Sequence, residues 1–298
     1  VVALVGNLIV AIAKLVAGIL SGSAAMMAES AHSFADSANE VLLGISILSS
    51  RKPADATHPF GYGRERFLWA FLAAISSFVI GGCVSVGLAV RELEMPSKGG
   101  SQTLSWIVLS VALIADGVSW IQGMLQARRE ARLWKRAVWS HIWQTSDPVL
   151  RAVLVEDSAG LIGTALAAGG LLLSNWLGSG IPDAIASLLI GVLLAGTAIA
   201  VARPLADFLI GRSLPDGASG KLHDLFLSSP AVDQVIGVQT VYTGPGEVIV
   251  TAKINAAPCT MDEFATAMDA LDHQIREEIP LVADVFVDVT ASKLEDSG

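Results

Sequence analysis

Cysteine is scarce in this chain: 298 residues hold two, Cys83 inside an apolar stretch and Cys259 far downstream. That excludes a disulfide framework, and without a CxxC pair nothing points to thiol redox chemistry. There is no HExxH, and only one histidine of an apolar run, His32, is available. An intramembrane metallohydrolase needs a metal-bound water and a general base in a cleft, so no enzymatic activity is expected. A basic surplus is also missing. The formal net charge is −9, and it belongs to one end: Ser213 to Gly298 carries 14 acidic against 4 basic residues, whereas the first 212 carry 14 against 15. This balance argues against a nucleic-acid partner and suits a water-exposed tail that meets cations. No cleavable-leader pattern is visible, because Val1 already stands in an apolar run; the chain is expected to begin inside its first span.

What is abundant is apolar. A hydrophobic content of 53% and a mean hydropathy of +0.60 place the chain in the lipid bilayer as a polytopic helical protein with a soluble appendage. Six spans are expected: Val1 to Leu20, Ala24 to Ser50, Phe67 to Val90, Leu104 to Gln126, Val149 to Leu177 and Pro182 to Val201. Residues 1–212 then form a transmembrane domain and 213–298 a C-terminal one. Lys and Arg fix the expected orientation. Arg51, Lys52, Arg64 and Arg66 lie between the second and third spans, and Arg128, Arg129, Arg132, Lys135 and Arg136 between the fourth and fifth; the other connections offer only Arg91 and Lys98. The basic loops are expected in the cytoplasm, with both chain ends on that side.

The second span organises the rest. AAMMAESAHSFADSANEVLLGISILSS is long enough to cross roughly 30 Å of hydrocarbon, yet it carries Glu29, His32, Asp36, Asn39 and Glu40. Intramembrane ionisable groups are costly and mark function. His32 and Asp36 are four apart and share a helix face, close enough to grip one cation together. Glu29 and Asn39 fall on the same stripe, and the fifth span adds Glu156 and Asp157. In the tail, Gly217 to Ser229 has helical spacing, Val232 to Tyr242 and Glu247 to Ile254 read as strands around a Thr-Gly-Pro-Gly turn, Met261 to Glu278 is a second amphipathic helix, and Val282 to Val289 a third strand. That is a small α+β layer pair with helices on one sheet face.

Four features together, AESAHSFADSANE, HPFGYGRERF in the following loop, PDAIASLLIG opening the sixth span, and the α+β tail, resemble the cation diffusion facilitator family. VLVEDSAG in the fifth span looks most like the branch that includes the mitochondrial member of the animal zinc transporters. The resemblance implies a six-helix bundle with a ferredoxin-like, metallochaperone-like cytoplasmic domain. It also implies a homodimer, and alternating access around one metal site between the second and fifth helices. The metal site it implies is His32, Asp36 and Asp157, with Glu156 and Asn39 as candidates for the remaining position. The family's usual fifth-span pattern has a ligand four residues before its Asp, and here that position is Val153. Asn7, Asp116 or water are further candidates.

Other readings stay open beside these. Glu156 can be a ligand, a proton carrier or a partner of Lys14; Asp116 can face the cavity or cap the polar interior; His58 can capture metal, or pack with Tyr62 in a tight turn against the tail. One nitrogen with two or three oxygens leans to Zn²⁺ as transported substrate, with no prosthetic group, though Mn²⁺, Fe²⁺ and Co²⁺ fit the same donors. Because such ligands bind metal only when deprotonated, metal and protons compete, and the expected activity is Zn²⁺/H⁺ antiport. A passive permease and a non-transporting metal sensor are the competing readings. The lack of a His-rich loop between the fourth and fifth spans makes a bacterial inner membrane the expected location.

Overall fold

The computed structural model describes residues 2–95, 103–133, 137–139, 142 and 148–290; Lys98, Lys135, Arg136 and the last eight residues of the tail lie outside them. Its contacts divide the chain into two units, one of Val1–Leu48 and Phe67–Ala206, the other of Ser49–Arg66 and Asp207–Gly298.

The first unit is helical. It contains α1 (Val2–Ser21) and α2 (Ala24–Ser49). Next come α3 (Glu65–Ser76) and α4 (Val84–Glu94), joined without a break by a π-helical segment, Ser77–Cys83. The remaining helices are α5 (Thr103–Leu133), α6 (Pro148–Leu177) and α7 (Ile181–Ile210). Among the described residues, five stretches are long and apolar enough to cross a bilayer: Leu4–Ser21, Glu65–Glu94, Thr103–Arg132, Leu150–Leu177 and Ile181–Ile210. On α5, Ile107, Val111, Ile114 and Val118 are all exposed, as a helix presents its side chains when lipid is the solvent. At 26 residues, α2 is about 39 Å long, but with Glu29, Asp36 and Glu40 along it, it is more polar than those five. Its polar residues are instead covered by protein, for Glu29, Ser30, His32, Ser33, Ser37 and Asn39 are all buried.

Two span ends run further than expected. The fourth span continues to Leu133, so Arg128, Arg129 and Arg132 sit on the last turns of α5 and not in a loop. The sixth continues to Ile210, through Pro204. Hydropathy marks where lipid ends, whereas the helix persists as long as its backbone bonds do. The small residues of the third span are used for close packing on α7. A Cβ at Gly82 would stand 3.3 Å from the Ala195 nitrogen, and one at Gly191 would stand 2.7 Å from Val86.

The second unit contains α8 (Asp216–Ser228), β1 (Val232–Gly244), β2 (Glu247–Ala256), α9 (Met261–Glu278) and β3 (Val282–Val289). The sheet order is β1-β2-β3, with β1 and β2 antiparallel and β2 and β3 parallel, as a helical crossover through α9 requires. The central strand is the most buried: Val248, Val250 and Ile254 are inaccessible and form the core with Leu222 and Phe226 of α8 and Ile275 of α9. At the start of α9, Thr260 accepts from the Glu263 amide at 3.3 Å, and Glu263 accepts from the Thr260 amide at 2.8 Å, a reciprocal cap.

Candidate metal centre

The site is built on α2, and α2 starts at a cap supplied from elsewhere. The Ser23 hydroxyl accepts from the Met26 amide at 3.0 Å and donates to Asp183 Oδ1 at 2.7 Å; Asp183 Oδ2 accepts from the Ala25 amide at 3.2 Å. A carboxylate from the first turn of α7 thus satisfies the N-terminus of α2, where negative charge is favoured. This is what the PDAIASLLIG stretch does in the fold.

Two turns further on lie His32 and Asp36, with Nε2 to Oδ2 at 3.5 Å. His32 is 2% exposed, and among the described residues neither of its nitrogens has a hydrogen-bond partner; Asp36 Oδ1 is likewise buried and unpaired among them. Across from them, α6 has no side chain at Gly160. A Cβ there would lie 3.1 Å from His32 Nε2 and 3.6 Å from Asp116 Oδ2 of α5. His32 and Asp116 therefore both approach the bare backbone of α6, with Asp36 beside His32 on α2. Buried polar atoms without partners are rare because each forfeits its hydration. An imidazole nitrogen and a neighbouring carboxylate oxygen are donor types that a divalent cation takes, so this pair suits part of such a site.

The other expected site residues are held in separate pairs. Asp157 Oδ2 accepts from the Ser119 hydroxyl of α5 at 2.8 Å. Glu156 accepts from the Asn39 amide, whose own oxygen accepts from Ser76 at 3.3 Å. Asn7 donates to Glu40 at 2.5 Å. Among the described residues, no three His, Cys, Asp or Glu side chains stand ready as a metal cage.

Lys14 does not pair with Glu156, which corrects one reading of that residue. Its ammonium donates to Glu29 Oε2 at 3.0 Å and to the Ser33 hydroxyl at 2.9 Å, and Thr164 of α6 donates to the same Glu29 oxygen at 3.1 Å. The carboxylate lies in a notch at Gly163, where a Cβ would stand 2.2 Å from Glu29 Oε1. Gly160, Gly163, Thr164 and Asp183 were not singled out from the sequence. The available signal was the spacing of the two glycines, three apart on a span already carrying Asp157, which bares one helix face to the polar stripe of α2.

In the second unit, the HPFGYGRER loop is a packed turn. Asp55 accepts from the Thr57 and His58 amides at 2.8 and 2.7 Å, from the Thr57 hydroxyl at 2.7 Å and from the Tyr62 hydroxyl at 2.8 Å. Those donors hold its carboxyl well below the usual range, and the Asp55 carboxylate pushes the Tyr62 phenol up. The His58 ring lies 4.2 Å from that of Tyr62, and Phe60 meets Phe286 of β3 edge-on at 6.2 Å. Arg64 Nε donates to the Tyr242 carbonyl at 3.2 Å.

Comparison with known proteins identifies a family. Residues 1–210 match the family described as the cation efflux transmembrane domain. Metal tolerance protein C4 of Arabidopsis thaliana is 34% identical over 174 residues, 58% of this chain and 38% of that protein. The mitochondrial proton-coupled zinc antiporter SLC30A9 of Xenopus laevis is 28% identical over 242 residues, 81% of this chain and 43% of that protein. Magnetosome protein MamM of Paramagnetospirillum magneticum is 31% identical over 118 residues, 40% of this chain and 36% of that protein. The chain spans about two fifths of the length of these relatives. On the match over residues 1–210, the chain belongs to the cation efflux, or cation diffusion facilitator, family of multi-pass membrane transporters, near the SLC30A9 branch.

Proposed function

We propose that this protein exports a divalent metal cation, Zn²⁺ first, in exchange for protons, by alternating access around His32, Asp36 and Asp157. The observation that carries the reading is the buried His32–Asp36 pair, with both imidazole nitrogens and one carboxylate oxygen lacking a hydrogen-bond partner among the described residues. Family membership and the name of the zinc antiporter among its relatives support it. Loading draws Asp157 away from Ser119 and toward His32, with Asp116, Glu156 and Asn39 as the candidates for the remaining position. The Glu156–Asn39 pair makes direct ligation by either of them the costlier alternative, because it must first be broken.

Coupling follows from the donors. A carboxylate and an imidazole that bind metal must give up their protons, so a site that opens to a more acidic compartment exchanges metal for protons. A homodimer with the tail and basic loops in the cytoplasm is part of the same proposal. The test is equilibrium Zn²⁺ binding to the purified full chain in detergent. His32→Ala and Asp36→Asn should each weaken binding by more than the roughly 10- to 100-fold that loss of an outer-shell partner costs. Unchanged affinity in both variants would overturn the reading. Tighter binding of Mn²⁺ or Co²⁺ than of Zn²⁺ would keep the site and change the cargo.

A further inference from the structure

One buried charged pair has no part in the site described above. Lys14 and Glu29 are 1% and 0% exposed and tie three helices together: Lys14 from α1, Glu29 from α2 and Thr164 from α6. A pair whose work was to hold helices together would gain by satisfying every oxygen, since a half-satisfied buried carboxylate costs more than an apolar contact of the same shape. Here Glu29 Oε1 is buried without a partner among the described residues, and α6 makes room for it at Gly163. The pair also stands close to the cargo residues. Glu29 lies one helical turn before His32, and Ser33, which accepts from Lys14, is its direct neighbour in sequence.

We propose that Lys14 and Glu29 set the charge at the cation site: the tethered ammonium opposes a divalent cation bound at His32 and Asp36, and the Glu29 carboxylate offsets that opposition. Together they leave the site poised for a dication that binds and is also released. Either charge alone would shift the balance, in opposite directions. This inference rests on the reading of His32 and Asp36 as the cargo site.

The experiment is Zn²⁺ affinity of the purified full chain, by competition with a chromophoric chelator, for wild type, Lys14→Met, Glu29→Gln, the double variant and His32→Ala. At an effective dielectric near 20, an unbalanced unit charge within a few helical turns of a dication changes affinity by about tenfold or more. Lys14→Met should therefore bind Zn²⁺ at least about tenfold more tightly, Glu29→Gln at least about tenfold more weakly, and the double variant close to wild type. A purely structural pair predicts weaker binding in both single variants, and that result, or no change in either, overturns the proposal. If Lys14→Met does not fold, the weakening in Glu29→Gln and its recovery in the double variant carry the same test; weakening without recovery overturns it. The His32→Ala arm separates the two claims. If it abolishes binding while the charge variants move together, only the role of the pair falls; if it leaves binding intact, the site reading falls and this one with it.

Discussion

Gly160→Ala adds one methyl group at the point where three helices meet, and its effects on stability and on binding should separate. The new Cβ stands 3.1 Å from His32 Nε2 and 3.6 Å from Asp116 Oδ2. A contact of 3.1 Å asks the imidazole to give by a few tenths of an ångström, on the order of 1 kcal/mol of strain. Replacing glycine by alanine inside a helix returns up to about 1 kcal/mol. The two nearly cancel, so the melting temperature in detergent should change by only a few degrees. Binding should not be spared. A zinc ion sits about 2.0–2.1 Å from an imidazole nitrogen, and the methyl group occupies the side of Nε2 from which α6 and Asp116 approach. We expect Zn²⁺ affinity to fall about 10- to 100-fold, the range seen when ligand geometry is disturbed without loss of a ligand. Chelator competition and a thermal melt on the same sample decide it. Unchanged affinity in Gly160→Ala, alongside abolished binding in His32→Ala, would show that the cation does not lie between His32 and α6.

Four further outcomes are expected. Gly63→Ala should loosen the loop before α3, because its Cβ would lie 2.6 Å from the Thr243 carbonyl and 2.9 Å from Gly244 Cα, backbone atoms that cannot swing aside; about 1–3 kcal/mol is lost, and limited proteolysis within residues 50–63 should accelerate. Asp183→Ala removes the cap on α2 and should cost about 1–2 kcal/mol in chemical denaturation, whereas Asp183→Glu should recover part of it. Thr260→Ala breaks the reciprocal cap of α9 and should cost about 1 kcal/mol, read as a lower melting temperature of the C-terminal unit. Tyr62 ionises above its ordinary value of 10.0 because its hydroxyl donates to Asp55. The carboxylate favours the protonated phenol, so Asp55→Asn should move that ionisation down, as an alkaline absorbance titration in a Tyr242→Phe background would show.

How far these features could be read beforehand depended on whether their cause was local. The bounds of α9 and β3 are set by nearest neighbours, the Thr260–Glu263 cap and an alternating apolar face, and the sequence reading places both at the residues observed. His32 and Asp36 were legible for a similar reason, since their spacing of four is a property of one helix. Lys14 and Glu29 were visible as charges in apolar spans, but their pairing depends on how α1 and α2 pack. The notch at Gly163 depends on a third helix. Glu156 shows the same limit: it has several plausible partners in the sequence, and Asn39 takes it only because α2 and α6 bring the two together. The ends of α5 and α7 ran past expectation because apolar composition reports the solvent and not the helix.

The central claim, proton-coupled export of a divalent cation through the site on α2, is tested most directly in liposomes that enclose a metal-sensitive dye, with the protein reconstituted and a pH gradient imposed. The account predicts uphill Zn²⁺ movement that follows the sign of the gradient, collapses when a protonophore removes it, and is absent in Asp36→Asn. Metal flux that runs only down its own gradient, or persists undiminished in Asp36→Asn, would contradict it.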